Sequence, residues 1–212
     1  MGLEFVRLFD EWADSYDHSV TGHDLEYRAV FAGYHKILQA VADRVSGNIV
    51  EFGVGTGNLT EKLLKQQNQV IGFEPSSAMR EKAFEKIPNA RIRNGDFLNF
   101  KLDGSCDAIV STYAFHHLTD QEKAEAFSKY SLLLNKGGKI VFADTVFLNE
   151  QHKLAVIDKA IKHDFFNLAE DLRTEYYSTI PALTAMLHAN DFSVEFIQLN
   201  SFVWLMDATK LS

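Results

Sequence analysis

A single cysteine, Cys106, occurs in the 212 residues, which excludes an internal disulfide and any zinc site built from several thiolates. It stands in "GSCDAIVS", at the start of a predicted buried strand, where a reduced core thiol is expected. Clusters of lysine and arginine are missing too, and the formal net charge is -8. A protein that neutralises phosphates needs a basic face, so this balance argues against a nucleic-acid partner. No long apolar run occurs. The opening "MGLEFVRLFDEWADSYD" is acidic and reads as neither a signal peptide nor a membrane span. A cytoplasmic protein without a membrane partner is expected. No repeat, low-complexity segment or obvious linker divides the chain.

What is present suits one soluble domain: 46% of residues are hydrophobic and 24% charged. Short apolar runs alternate with amphipathic segments. Strands are predicted at 48–52, 69–74, 90–96, 106–111 and 139–144, with helices at 58–67, 77–87 and 119–134 between them. Asn58 with Glu61, and Thr119 with Glu122, have the spacing of capping boxes, and Gly137-Gly138 is placed to stop a helix before its strand. Such alternation predicts an α/β fold, a parallel sheet with helices on both faces. The ends differ. Residues 1–45 and 146–190 carry helical patterns rich in aromatics, and "FSVEFIQL" and "SFVWLMDA" meet at Asn200-Ser201 as a C-terminal antiparallel hairpin.

The segment "NIVEFGVGTGNLTEKL" links the first strand to the first helix of this alternation. Glycines there permit a tight turn and a close approach to a ligand at the carboxyl end of the sheet. The spacing excludes two common ligands. A dinucleotide turn needs G-x-G-x-x-G/A, but the sixth position from Gly53 is Asn58 and from Gly55 is Thr60. No Gly-Lys-Ser/Thr follows to make a P-loop. The run is E-x-G-x-G-x-G. A carboxylate at Glu51 would repel a pyrophosphate and suit a ligand with an ammonium group, as S-adenosyl-L-methionine has beside its sulfonium.

The next strands supply matching parts. Glu74 ends the second strand, 17 positions after Gly57, where a carboxylate accepts from both ribose hydroxyls. Asp96 ends the third and could accept from an adenine amine, with Phe97 or Met79 over the ring face. "IVSTYAFHHL" ends the fourth with small and aromatic residues, among them Ser111 and Tyr113, suited to the methionine part.

"VEFGVGTG", "GFEPSSAM", "GDF", "AFHHL" and "LNKGGKIVFAD" follow, in order, the motifs of class I S-adenosylmethionine-dependent methyltransferases, and the chain resembles that superfamily over nearly its whole length. It is most similar to the small-molecule group, the ubiquinone-biosynthesis-like and type 11/25 domains. "FDEWADSYD" resembles the segment that many of these place over the cofactor. The resemblance implies a Rossmann-like seven-stranded sheet, mostly parallel, in a single methyltransferase domain. Residues 1–45 would be a helical lid, 46–145 the cofactor-binding core, 146–190 a helical substrate segment and 191–212 the hairpin. It also implies that Gly53, within Glu51 to Gly57, meets the methionine moiety, Glu74 the ribose, and Asp96 with Phe97 the adenine. The acceptor is not named by these motifs. Where amino-methylating enzymes of nucleic acid and protein glutamine carry an "NPPY"-type motif, this sequence has "STYA".

Methyl transfer to a neutral hydroxyl or a protonated amine needs a general base. Candidates are His116, His117, Tyr113, His18 and His163, with His116 preferred. Phe115 and Leu118 look like packing anchors, the two histidines should point to opposite sides, and His117 lies nearer the cap at Thr119. Tyr113 follows a strand end and either faces the site or packs. Tyr16 and Trp12 lie on the presumptive lid, where Tyr16 could touch the cofactor and Trp12 suits core packing. Tyr176, Tyr177 and Arg173 lie on the variable helical segment, and Asp144 either faces the acceptor or is a solvated strand end. No metal constellation is expected, because "HH" lacks a second histidine at helical spacing. The partner is then a small-molecule acceptor, with monomer and homodimer both open. Two alternatives remain: a non-catalytic S-adenosylmethionine-binding sensor or scaffold, and another transfer, such as aminopropyl transfer, on the same fold.

Overall fold

A computed structural model describes residues 6–212. Residues 1–5 of the acidic opening segment lie outside the described residues. Seven strands form one sheet in the order β3-β2-β1-β4-β5-β7-β6. β1 (Asn48–Phe52), β2 (Gln69–Phe73), β3 (Arg91–Arg93), β4 (Cys106–Thr112) and β5 (Leu134–Thr145) are parallel. β6 (Phe192–Gln198) and β7 (Val203–Lys210) pair antiparallel, and β7 joins β5 antiparallel, as the hairpin pattern predicts. The strand order reverses at β1 and β4, so their carboxyl ends open the crevice where such sheets bind ligands.

Alternation along the strands buries two faces. On one, Val50, Phe52, Ile109 and Phe142 pack with Phe127 and Tyr130 of α6 (Asp120–Leu133) and Leu187 of α9 (Ile180–Ala189). On the other, Ile49, Val110 and Val141 meet Leu38 and Val41 of α3 (Tyr34–Ala42) and Leu59 and Leu63 of α4 (Asn58–Lys65). The central strands β1, β4 and β5 are buried on both faces, as a doubly covered parallel sheet requires, while the edge strand β3 exposes Arg91 and Arg93. Cys106 is buried at the start of β4, and burial pushes its thiol up to about 12, which leaves it unreactive at neutral pH.

Several local expectations change. The Thr119–Glu122 capping box forms, with both reciprocal bonds present. Asn58 does not cap α4: Gly57, in the left-handed region at φ +86°, takes the N-cap position. Gly137-Gly138 does not stop α6, which ends at Leu133. The pair lies inside an extended β5 near a register shift against β4. The hairpin turns over more than Asn200-Ser201. Asn200 Oδ1 receives the N–H of Phe202 and Val203 and holds a longer loop. The helical pattern in 26–45 forms α-helix only in α3, because Gly33 at φ +76° interrupts it.

Two irregular regions build the wall over the sheet's carboxyl edge. α1 (Val6–Trp12) and α2 (Tyr16–His18), which runs into a wider turn at Ser19–His23, come from the N-terminal segment. α7 (Glu150–Lys162) and α8 (Phe166–Thr174) follow β5. Val30 and Tyr27 from the first region pack with Phe147, Ile157, Leu168 and Leu172 from the second, so one apolar cluster joins them. The remaining helix, α5 (Ser77–Lys86), follows β2.

Candidate active site

The glycines between β1 and α4 take left-handed backbone, with φ +66° at Gly53, +55° at Gly55 and +86° at Gly57. Only glycine adopts these angles without strain. A β-carbon on Gly53 would lie 2.6 Å from Ala114 Cβ, while one on Gly55 would meet nothing within 4 Å. The turn is therefore packed shut at Gly53 and open at Gly55. Ser111, buried at the end of β4, has its Oγ without a hydrogen-bond partner, 3.8 Å from where a Gly53 β-carbon would stand. A buried hydroxyl in that condition suits a ligand's polar group.

Glu74 follows β2. Its Oε2 accepts the Gly55 N–H and its Oε1 the Ser76 N–H, each at 2.9 Å, so the carboxylate is fixed while each oxygen keeps a lone pair. Burial pushes this carboxyl up to about 7 against the pull of those two bonds. A cleft of about 30 Å³ is lined here by Gly53, Gly55, Glu74, Met79, Ala114 and Tyr113, with Phe9 and Tyr16 from the N-terminal helices. Those helices are clasped to the core by acids. Asp10 accepts from Ser76 Oγ, Asp14 pairs with Lys82, and Asp17 accepts from Thr56, Asn58 and Lys86.

Other expected cofactor residues lie outside the lining of this cleft. Glu51 falls on the α4 face of β1 by strand alternation, and its Oε2 accepts from Thr60 Oγ1 at 2.6 Å. Burial pushes its carboxyl up to about 8, toward the protonated form, which weakens it as a partner for an ammonium group. Asp96 Oδ1 receives the N–H of Leu98 and Asn99 in a local turn. Phe97 is 0% exposed, with its ring among Phe52, Phe115 and Phe142. Met79 is buried almost as fully, and what separates the two is that Met79 lines the cleft and Phe97 does not.

Beyond the cleft lies a chamber of about 560 Å³, sharing Phe9, Tyr16, Tyr113 and His117 with it. Tyr113 holds φ +53°, a strained value for a non-glycine residue, and its ring meets Phe31 and Tyr34. Burial, with Tyr34 and Asp144 near, raises its pKa and keeps the phenol protonated. Trp12 lines the chamber and donates to Ser19 Oγ.

His116 lies on a short 3₁₀ turn, Phe115–His117, after β4. Asp144, at the end of β5, accepts from its ring Nδ1 at 2.6 Å and from its backbone N–H at 3.1 Å. Asp144 is thus neither solvated nor aimed at an acceptor: it fixes the ring. That leaves Nε2, 3.4 Å from Glu175 Oε2, on the chamber side. Tyr177 stacks on the ring at 4.9 Å and donates to Glu175. Burial works against a charged His116, but Asp144 and Glu175 outweigh it and raise its pKa above the usual histidine value.

His117 departs from expectation. The two rings do not point apart but lie 4.1 Å from each other, because a 3₁₀ turn lacks the alternation of a strand. His117 is buried edge-on to Phe9, and burial, then His116, depress its pKa strongly. His116, His117 and Glu175 bring one ligand atom each within 4.8 Å. Tetrahedral bonds of 2.0–2.1 Å would set such atoms roughly 3.4 Å apart. The 4.0 Å between His117 Nδ1 and Glu175 is wider than that, and the spacing of the two histidines in the sequence did not anticipate that the fold brings these three groups together.

His18 stacks on His23 and His163 donates its ring Nδ1–H to the Lys159 carbonyl, both outside the chamber lining. Tyr176 and Arg173 are also outside it, while Tyr177 is inside. Sequence reasoning did not single out Glu175, Asp171, Tyr27, Phe9 or Lys123. Lys123 is buried, and its Nζ donates to the Tyr176 carbonyl and to Ser178 Oγ, tying α6 to the segment that carries Glu175. An apolar-looking helix face carrying one lysine was the available signal.

Residues 49–138 match the family described as Methyltransferase domain. An uncharacterized methyltransferase of Anoxybacillus flavithermus is 58% identical over 99% of this chain and 100% of its own length. Among solved structures, the DhpI-SAM-HEP complex superposes with TM-score 0.71 at 17% identity, covering 98% of each chain. Magnesium protoporphyrin IX methyltransferase from Synechocystis, solved with bound SAH, superposes with TM-score 0.71 at 16% identity, covering 96% of this chain and 98% of its own.

Proposed function

The chain belongs to a family of bacterial methyltransferases, and from that premise we propose that it moves the methyl group of S-adenosyl-L-methionine to a small-molecule acceptor. The observation that carries this reading is the pair of joined spaces: a glycine-turn cleft and a chamber of about 560 Å³, meeting at Tyr16, Tyr113 and His117. A chamber of that size takes a metabolite.

The residues present fit the cofactor. Gly55 lets the backbone approach it, Ser111 Oγ supplies a polar contact at the methionine end, and Glu74 takes the ribose hydroxyls on its remaining lone pairs. Met79, in the cleft lining, would cover the base, while Asp96, beyond β3 and bonded within its own turn, would have to open that turn to take the adenine amine. When bound, the cofactor supplies a methyl group already activated on a sulfonium. The protein's work is then alignment, exclusion of water and handling of a proton. Tyr113 holds the junction between the two spaces. Asp144 keeps His116 in the tautomer with Nδ1–H, so that neutral Nε2 takes a proton from an acceptor N–H or O–H. Residues 6–45, clasped through Asp10, Asp14 and Asp17, serve as the lid, and 146–190 shape the acceptor side.

Calorimetry tests the cofactor: S-adenosyl-L-methionine and its demethylated product should bind, and NAD should not. Binding of NAD without either of the others would overturn the reading. Labelled methyl from the cofactor should appear in the small-metabolite fraction of an extract; label only in macromolecules would overturn the acceptor class.

A further inference from the structure

The chamber is lined by four carboxylates, Glu11, Asp24, Asp171 and Glu175, and among the described residues by no lysine or arginine. Two of the four are set deep. Glu175 is 14% exposed and tied to Tyr177, and Asp171 is tied to Tyr27. Burial raises the pKa of both, which is the behaviour of carboxylates short of a partnering positive charge. His116 is the nearest group that can take up a positive charge, and its Nδ1 is already held by Asp144. Much of the rest of the lining is aromatic, including Trp12, Tyr27, Phe31, Tyr113 and Tyr177, with Val30, Leu168 and Leu172 adding aliphatic surface.

We infer that the acceptor is an amine carried on an aromatic or apolar frame, bound as its ammonium form between Glu175 and Asp171 with the aromatic side chains around it. This rests on the reading of the chamber as the acceptor site. An anionic acceptor would meet four carboxylates and, against them, only His116, which Asp144 already holds. A neutral one would leave two deep carboxylates without a counter-charge, which a low-dielectric site penalises. An ammonium satisfies the carboxylates and gains cation–π contact with the rings. His116 completes the logic. An ammonium has no lone pair for displacement, so one N–H proton must leave. It passes to neutral His116 Nε2, 3.4 Å from Glu175 Oε2, which makes the imidazolium and frees the amine lone pair. The charge inside the chamber is unchanged by that transfer.

Calorimetry with three isosteric probes tests the inference: 2-phenylethylamine, 2-phenylethanol and phenylacetate, each titrated at neutral pH with and without S-adenosylhomocysteine. The amine should bind at least tenfold tighter than the alcohol, and the acid most weakly. Glu175→Gln should weaken the amine at least tenfold and leave the alcohol unchanged. Asp171→Asn should act in the same direction, which covers the case of one variant misfolding. An amine no tighter than the alcohol, an acid as tight as the amine, or binding that disappears with a chelator overturns the inference. Absence of S-adenosylhomocysteine binding would overturn the cofactor reading instead, and the titrations without it still decide the amine.

Discussion

The cleft and the chamber meet at shared residues but are built by opposite means. The cleft is made by the sheet. Its parts, Gly53, Gly55 and Glu74, sit at the ends of adjacent strands, and the backbone that places them is fixed by left-handed glycines and by two amide bonds to one carboxylate. The chamber is made by packing between regions distant in the chain. Asp171 of α8 meets Tyr27 144 positions earlier, and Asp144 meets His116 28 positions away. A cofactor common to many enzymes can use a site that local geometry dictates. An acceptor particular to one enzyme needs a site that can vary without disturbing the sheet, and helices outside it provide that.

The largest effect that separates the two is expected at His116. His116→Ala should slow turnover by roughly 10²–10⁴-fold, the usual worth of a general base, and leave cofactor affinity unchanged. The wild-type rate should rise with pH, because only neutral Nε2 accepts a proton. The midpoint should lie above the ordinary histidine value of about 6.5, since Asp144 and Glu175 raise the pKa. Asp144→Asn should move that midpoint down. A pH-rate profile with no such step, or loss of cofactor binding in His116→Ala, would break the division of labour.

Next comes Glu74→Ala, which removes a fixed acceptor for two hydroxyls. Cofactor affinity should weaken at least about tenfold, the effect of roughly 1.4 kcal/mol. Affinity for 2-phenylethylamine should not change. A Glu74 variant that binds cofactor normally while folded would dissociate the glycine turn from its supposed ligand.

What could be read from the sequence follows the same division. Short apolar runs between amphipathic segments gave the strands, and the E-x-G-x-G-x-G spacing with Glu74 pointed to the cleft, because these patterns depend on neighbours in the chain. Asn58 misled because a left-handed glycine competes for the cap position. Phe97 misled because strand-end position does not tell which way a ring packs once a turn intervenes. The His116–His117 orientation was misread because extended alternation was assumed across a 3₁₀ turn. Glu175 carried no readable signal and Lys123 only that of one lysine on an apolar-looking helix face, as their roles exist only once α6 lies against the 175–178 segment.

A smaller effect is expected at that contact. Lys123→Met keeps the aliphatic stem and removes the bonds to the Tyr176 carbonyl and Ser178. Glu175 should then lose its fixed position. We expect acceptor affinity to fall by a few-fold, within the roughly 0.5–1.5 kcal/mol of a lost hydrogen bond. Cofactor affinity should stay as it is. Equal losses for both ligands would mean that Lys123 supports the whole edge of the sheet and not the chamber alone.

The smallest effect concerns Glu51, which is buried on Thr60 behind the glycine turn. Its carboxyl is pushed up to about 8 in the fold by burial, with Glu74 adding to it and the Thr60 bond opposing. An unfolded carboxyl ionises near about 4.3. Between those values the unfolded chain releases a proton that the folded chain keeps, so stability falls as pH rises. The contribution is complete below the unfolded value and lost as pH climbs through the folded one. Wild-type Tm should therefore decline between pH 5 and pH 8 from this source. Glu51→Gln keeps the shape and a hydrogen bond to Thr60 but has no proton to lose. Its Tm should fall less over the same interval, each kcal/mol being worth roughly 2–4 °C for a chain of this size. Glu74, pushed up to about 7, contributes in the same direction and remains in the variant, so the decline is reduced and not abolished. Parallel Tm curves for the two proteins would show that Glu51 is ionised in the fold, which would restore it as a possible partner for the cofactor's ammonium group.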